Sequence, residues 1–491
     1  MFVCSPVEPS NPAPSEPSWS CLCHGPAFTR LNALMTARFS RRAFMGAAAA
    51  GAAALAFAPR DAGARVPAPP TTPVAFTNLR LFDGRSDTLR TGLRVVVEGQ
   101  RIRAVEADAQ ALPPGIRVID CGGRTLMPGL IDAHYHVMLA SVDLGTAFTA
   151  DAGYLNLLAA GEAERMLMRG FTSMRDLAGP SCGLKRAIDT GLVPGPRIWP
   201  CGAMISQTSG HGDYRSTVEL PSSRLSPLSR GEQMGGGAIA DGVTEVLRRS
   251  REQLMLGATQ LKLSAGGGVA SNHDPLDVSQ YTEAEFRAAV DAAENWGTYV
   301  TVHAYTPRAI QTAIRGGVRC IDHGHLMDER TAEIMAEKDI WLSIQPFLDD
   351  EDAVSFPEGS ANRAKYLQMV RGTDVAYGLA KKHRLKTAWG TDALFDARLA
   401  ARQGAQLAKM TRWYTPAEAL RMATGTNAEL LAMSGPRNPY PAPVGVVDAG
   451  AMADLLLVDG DPIANIRLIE EPERNLRVIM KDGRLFKNTL G

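Results

Sequence analysis

Neither sign of charge predominates in this chain of 491 residues: Lys+Arg and Asp+Glu number 52 each. That balance leaves no global attraction toward nucleic acid or an anionic membrane, so a small-molecule partner is expected. Long apolar runs are also missing. The Ala-rich stretch within "SRRAFMGAAAAGAAALAFAP" (40–59) extends for about fourteen residues, short of the roughly twenty that span a bilayer, and no permanent membrane anchor is expected. Cysteine is sparse, with seven in all. Cys121, Cys182, Cys201 and Cys320 show no CxxC spacing, so buried thiols are the expectation and no disulfide can be inferred. What is present, 45% hydrophobic and 21% charged residues, is the composition of an ordinary globular protein and excludes disordered and collagen-like classes.

The twin arginines, the short apolar run and the small residues after it resemble a twin-arginine export signal, which implies a periplasmic or secreted protein. Residues 1–34 are rich in Pro, Ser and Cys and lack an apolar period, and export signals begin close to their arginines. Translation is therefore expected to start at Met35, which removes "CLCH" (21–24) as a metal motif. Residues 1–72 are set aside as an N-terminal extension.

From 73 to 128 the chain reads as short alternating runs separated by glycine-containing turns, "FTNLRLFDG", "GLRVVVEGQRIRAVE" and "RVIDCGGRTLMPG". These are β-hairpin signals. The same texture returns over 436–491 in "GVVDAGAMADLLLVDGDP" and "NLRVIMKDGRLF", so both chain ends are expected to pair into one small β-sandwich. Between them, 129–435 alternates apolar β-branched runs with amphipathic helical segments. Eight strands are predicted: "GLIDAHYH", "FTSMRDL", "RIWPCGAMI", "TQLKLSA", "TYVTVHA", "GVRCIDHG", "DIWLSIQP" and "KTAWGTD". The helical patterns "AAGEAERMLMRG", "GVTEVLRRSREQLMLG" and "TEAEFRAAVDAAENWG" each close on glycine. This is the α/β class, with a (β/α)8 TIM barrel as the expected architecture.

In such barrels the chemistry sits at the C-terminal strand ends. His134 and His136 end the first strand, His303 the fifth, His323 the sixth and Asp392 the eighth, while Lys262 belongs to the fourth. Side chains alternate along a strand, so His134 and His136 share a face and can both reach one ion. One H-x-H pair is weak, since a lone buried histidine is usually a satisfied core residue. Four histidines and a carboxylate converging on one barrel mouth point to metal.

"GLIDAHYH", "LKLSAGG", "VHAYTPRAI", "IDHGHLMD" and "WGTD", in this order, resemble the metal-dependent amidohydrolase superfamily across nearly all of the chain after the export segment. "DHG" stands where relatives more often carry "EHG". The resemblance implies that His134, His136 and Asp392 ligate a first metal, that His303 and His323 ligate a second, and that Lys262 bridges the two. An ammonium could not do so: at about 4 Å and an effective dielectric of about 20, a unit-charge pair costs about 4 kcal/mol, and a dication roughly doubles it. Addition of carbon dioxide to the neutral amine gives a carbamate, an anion with an oxygen for each metal. Without metals, Lys262 would be a lysine with a buried stem and an amine reaching to the mouth. Zinc suits imidazole and carboxylate ligands, although manganese or cobalt could occupy the same site. A bridging hydroxide would attack the carbonyl carbon, and Asp392 would take its proton and pass it to the leaving amine. His211 in "ISQTSGHGD" and Tyr305 in "VHAY" are the candidate substrate contacts, and His325 in "DHGH" is carried as a further catalytic candidate.

"KLSAGGGVASNHDPLDVSQYTEAE" and "VHAYTPRAI" resemble the subgroup of Xaa-Pro dipeptidases (prolidase-like), other carboxypeptidase-like members and ochratoxin-hydrolysing amidohydrolases. The implied reaction releases a C-terminal amino acid from an N-acyl amino acid, an Xaa-Pro-type dipeptide or an ochratoxin A-like amide, in a homo-oligomer. Imidazolonepropionase-like and other cyclic-amide hydrolases are more distant alternatives. "GPSCG" (179–183) matches the nucleophile elbow and makes a serine hydrolase using Ser181 a rival, one that leaves the strand-end histidines unexplained. A non-catalytic scaffold is a third reading, although all six ligand positions are filled. The long segments 141–158 and 214–237 are expected as mouth loops that choose the substrate.

Overall fold

The computed structural model describes residues 66–67, 72–112, 114–222 and 226–490. The twin-arginine segment, the upstream cysteines and the expected start at Met35 lie outside the described residues.

Two sheets draw on the chain ends. The first has the order β4 (Arg101–Ala107), β3 (Leu93–Glu98), β1 (Val74–Thr77), β5 (Arg117–Asp120). The second has the order β19 (Arg484–Asn488), β18 (Leu476–Lys481), β17 (Leu455–Val458), β6 (Thr125–Pro128), β2 (Arg80–Leu81). It joins residues more than three hundred positions apart, because β17 pairs antiparallel with β6 from Leu455↔Pro128 to Val458↔Thr125. Inward residues of both sheets, among them Phe76, Val95, Leu126, Leu455, Leu457 and Val478, meet in one apolar cluster. Burial of that cluster makes the pairing of the chain ends favourable, since neither half alone could cover its apolar face.

The middle of the chain forms two parallel sheets. One runs β7 (Leu130–Tyr135), β8 (Phe171–Asp176), β9 (Arg197–Pro200). The other runs β11 (Gly237–Ile239), β10 (Met204–Ser206), β12 (Leu261–Ser264), β13 (Val300–Ala304), β14 (Cys320–His323), β15 (Trp341–Ile344), β16 (Thr387–Trp389). Main-chain bonds connect the two sheets at both edges. The Asp392 N–H donates to the His134 carbonyl at 2.7 Å, and the Thr259 N–H donates to the Pro200 carbonyl at 2.8 Å.

Helices fill the connections for reasons visible locally. Glu283–Asn295 starts at a Thr282/Glu285 capping box and buries Phe286, Ala289, Val290 and Ala293, one face at helical spacing. Gly242–Leu256 ends at Gly257, whose φ of 107° is left-handed.

Two expectations change. "RIWPCGAMI" is not one strand but β9 and β10, because Pro200 donates no ladder hydrogen bond and Gly202 turns the chain at φ 74°. Segment 141–158 is not a loop: Asp143 and Asp151 each cap the start of a helix, Leu144–Thr149 and Ala152–Met168. Cys121, Cys201 and Cys320 are buried, Cys182 is half-buried, and all four are free thiols. Among the described residues no helix is long and apolar enough to cross a membrane.

Candidate metal centre

The C-terminal ends of the parallel strands converge on one cavity of about 300 Å³ lined by His134, His136, Lys262, His303, His323 and Asp392. His134 in β7 and His136 just beyond it, with Tyr135 between them, present rings 5.3 Å apart. Asp392, held by its main-chain bond to His134, places Oδ1 3.2 Å from Nε2 of His134 and 2.9 Å from Nε2 of His136. The His323 ring lies 4.9 Å from that of His134 and 4.5 Å from that of His303. Ligand-type atoms of His134, His323 and Asp392 fall within 4.8 Å of one another.

Backbone strain marks the same residues. His323 (φ 79°) and Asp392 (φ 53°) both occupy the left-handed region, at a cost on the order of 1–3 kcal/mol for each non-glycine residue, a feature that clusters at functional sites. At His323 the strain has a geometric result. Adjacent strand residues point to opposite faces, yet Asp322 and His323 both approach His134, and the left-handed turn at His323 breaks the alternation.

Protonation states suit ligation. Burial pushes His303 and His323 well below the usual imidazole range, and it lowers His136 as well. Burial also acts on His134, but the Asp392 and Asp322 carboxylates outweigh it and raise that ring. Burial alone would raise Asp392; the His134 and His136 rings outweigh it and hold the carboxyl well below its usual range. Mostly neutral imidazoles around a carboxylate are the forms that bind a divalent ion. The buried Nδ1 of His136 has no hydrogen-bond partner, an orphan that a metal would satisfy. The residues present therefore fit a metal site.

Several supporting residues carry no sequence motif. Asp322, fully buried, accepts from Nζ of Lys262 at 2.6 Å, from Oγ1 of Thr301 at 2.7 Å and from Nη2 of the buried Arg175 at 2.7 Å. Burial opposes its ionisation, but Lys262 and Arg175 hold its carboxyl well below the usual range. Gln345, just beyond β15, lies with Oε1 2.7 Å from Nδ1 of His323 and Nε2 3.3 Å from Nδ1 of His134, bridging the two rings. The Gly267 carbonyl, 3.1 Å from Nε2 of His303, leaves Nδ1 of that ring free. Such outer contacts fix ring orientation and tautomer. Among these, Asp322 and Gly267 lie inside the motifs that carry the resemblance, Asp322 as a change from glutamate.

His211 and Tyr305 also line the cavity. His211 stacks on His303 at 3.9 Å with its Nδ1 2.8 Å from Oγ of Ser271, and the Tyr305 ring stands 4.8 Å from His303. The glycines of "AGGG" permit this packing, because a Cβ at Gly268 would fall 1.8 Å from Nδ1 of His211.

His325, expected as a catalytic residue, does not line the cavity. It is buried, its Nε2 lies 2.9 Å from the Gln345 carbonyl, and its ring stacks on Phe347 at 5.3 Å. His273 sits on a neighbouring loop with Nε2 3.2 Å from the Arg215 carbonyl. Ser181 of the "GPSCG" motif is buried outside the cavity and donates to Asp176 at 2.7 Å, with no histidine as its partner, so the elbow reading has no base.

Residues 125–486 match the family model described as "Amidohydrolase family". An ochratoxinase from Aspergillus niger is 30% identical over 432 residues, which cover 83% of this chain and 85% of that protein. The crystal structure of A. niger ochratoxinase superposes with a TM-score of 0.74 at 26% identity, covering 86% of this chain and 97% of that one. The crystal structure of a prolidase complexed with N-methylphosphonate-L-proline superposes with a TM-score of 0.77 at 35% identity, covering 85% of this chain and 100% of that one. With the family match spanning most of its length, this chain belongs to the amidohydrolase family, in the subgroup with ochratoxinase and prolidase, and is a hydrolytic enzyme that acts on amides.

Proposed function

We propose that this enzyme is a binuclear metal-dependent hydrolase that releases a C-terminal amino acid from an N-acyl amino acid, an Xaa-Pro-type dipeptide or an ochratoxin A-like amide. The observation that carries this reading is the convergence of Lys262, four histidines and Asp392 on one cavity. Similarity to an ochratoxinase and a prolidase supports it. In this reading β7, β8, β9, β12, β13, β14, β15 and β16 close as a (β/α)8 barrel, and the two sheets from 73–128 and 436–491 form the small sandwich.

His134, His136 and Asp392 would hold one ion and His303 and His323 the other, with Lys262, as a carbamate, offering an oxygen to each. That group forms when the neutral amine adds carbon dioxide and loses a proton. Its remaining N–H keeps Asp322 as acceptor. Divalent ions bound there, with zinc the best match to the ligands, would supply Lewis acidity toward the scissile carbonyl and lower the pKa of water to about 7. Asp392 accepts a proton from the attacking water at a carboxylate oxygen and returns it to the departing amide nitrogen. Burial holds the Tyr305 hydroxyl well above its usual range and pushes His211 down to about 4. At neutral pH both are uncharged donors, and we assign them the carboxylate of the residue that is released. His325 acts at one remove, positioning Gln345. Export by the twin-arginine route, with the centre assembled before crossing, and homo-oligomeric assembly complete the reading.

Elemental analysis of the purified protein is expected to return two divalent ions per chain. Metal-loaded enzyme is expected to hydrolyse members of a panel of Xaa-Pro, N-acyl-Phe and ochratoxin A substrates. A folded, metal-free protein, or a loaded one inert on the whole panel, would refute the reading.

A further inference from the structure

The cavity is chemically divided. Besides its ionic floor, the cavity has a wall from a separate apolar cluster in which Val269, Tyr366 and Met369 are buried, with Phe347, Val354 and Phe356 half-buried beside them. Five of these six come from the segment 347–369, which follows β15. The six side chains of this wall are uncharged, and the cations on its helix are engaged, Arg363 by Asp349 and Lys365 by three backbone carbonyls. Among the described residues no arginine lines the cavity, and its lysine, Lys262, is paired with Asp322. Among the acids of the same segment and of the cavity lining, Asp349 pairs with Arg363 at 2.7 Å and Asp350 with Lys409 at 2.7 Å, while Asp396 caps the helix Ala397–Ala401.

We propose that this compartment receives the side chain of the amino acid that is released, and that it selects uncharged aromatic and large aliphatic side chains over basic and acidic ones. The proposal rests on the reading above in one respect, the assignment of the substrate carboxylate to Tyr305 and His211. A carboxylate and its side chain branch from one carbon, so they must occupy neighbouring sites. Tyr305 is the residue that joins them, since its ring stands 4.8 Å from His303 and also belongs to the apolar cluster. An ammonium or carboxylate placed against Val354, Phe356 and Met369 would lose its hydration and meet no charged side chain among the six that form the wall. A phenyl or isobutyl group there leaves water for apolar contact, which is favourable in proportion to the area covered.

The test is a series of N-acetyl amino acids, Phe, Leu, Lys and Glu, assayed with metal-loaded wild-type enzyme. The kcat/KM values for Phe and Leu are expected to exceed those for Lys and Glu by about a hundredfold. Comparable values, or a preference for Lys or Glu, would overturn the proposal. Should no member be hydrolysed, the proposed reaction fails on its own account, and calorimetric binding of the same four compounds still decides the compartment: tighter binding of Phe and Leu supports it, and equal affinities overturn it. Val354 lies in a half-buried loop position, and Val354→Glu is expected to narrow the Phe-to-Lys ratio by about tenfold. A folded variant with an unchanged ratio would remove Val354 from the subsite, whereas the wild-type series does not depend on whether that variant folds.

Discussion

The ionic floor and the apolar wall of the cavity face the same substrate but are built differently. The floor is carried by strand ends, where ladder register sets Ser264 beside His303 and Ala304 beside His323, while Gln345 ties the rings of His323 and His134 and Asp322, itself held by Arg175, approaches that of His134. The wall is carried by connections: the loop after β12 and the segment after β15, packed as a cluster apart from the main core. A strand end cannot shift by less than a residue without losing its ladder, whereas a connection can change length and composition while its anchors stay in place. The floor is therefore the part that specifies the reaction, and the wall the part that specifies the substrate.

The strongest way to break this division is at the floor. Lys262→Ala removes the proposed bridging group and is expected to lower kcat/KM by at least ~10⁴-fold, combining loss of metal with loss of the proton-transfer geometry. Metal content is expected to fall in parallel, and a short carboxylic acid with added metal is expected to restore part of both. Wild-type turnover by the variant would refute the bridging role.

Asp322→Asn tests whether the floor is one network. The substitution leaves the buried Arg175 guanidinium without its carboxylate partner, and it is expected to destabilise the fold by about 3–5 kcal/mol. Equilibrium denaturation measures this, and a change below about 1 kcal/mol would mean that the pair is not coupled as its geometry indicates.

How much of this was readable in the chain follows the same division. Seven of the eight expected strands appear as single strands, because period and punctuation are local properties. His134, His136, Lys262, His303, His323 and Asp392 reach the cavity because a strand-end position is itself a local property. Asp322 escaped because its position predicts the opposite face from His323, and only the φ of 79° at His323, which no residue type announces, brings both to His134. Gln345 and Arg175 escaped because each has a site partner more than a hundred positions away, His134 for Gln345 and Asp322 for Arg175. Segment 141–158 was misread because Asp143 and Asp151 look alike as loop residues and as helix caps until the helices after them are seen.

The join between floor and wall is the "AGGG" loop. Gly268→Ala would place a Cβ 1.8 Å from Nδ1 and 2.1 Å from Cε1 of His211, so the ring must leave its stack on His303. About a hundredfold loss in kcat/KM, carried mainly by KM, is expected with metal content retained. Loss of metal in this variant would show that His211 and the floor are not separable.

The smallest expected effect isolates the wall alone. Lys365, on the helix Ala361–Val370 that also carries Tyr366 and Met369, donates to the carbonyls of Gly268 (3.0 Å), Ser271 (2.8 Å) and Asp274 (2.8 Å). Asn362 on the same helix donates to the Val269 carbonyl at 2.7 Å. These bonds tie the two connections that make up the wall, and Nζ also lies 3.9 Å from Oδ1 of Asp274, a buried oxygen with no hydrogen-bond partner. Lys365→Met keeps the aliphatic stem and removes all three donors, so the loop should loosen while the strand ends stay where they are. KM is expected to rise about tenfold with kcat within about threefold and metal content unchanged, and amide exchange over 267–275 should accelerate while β12 and β13 stay protected. A fall in kcat with loss of metal would mean that strain at the wall reaches the floor, and that one substructure governs both reaction and selectivity.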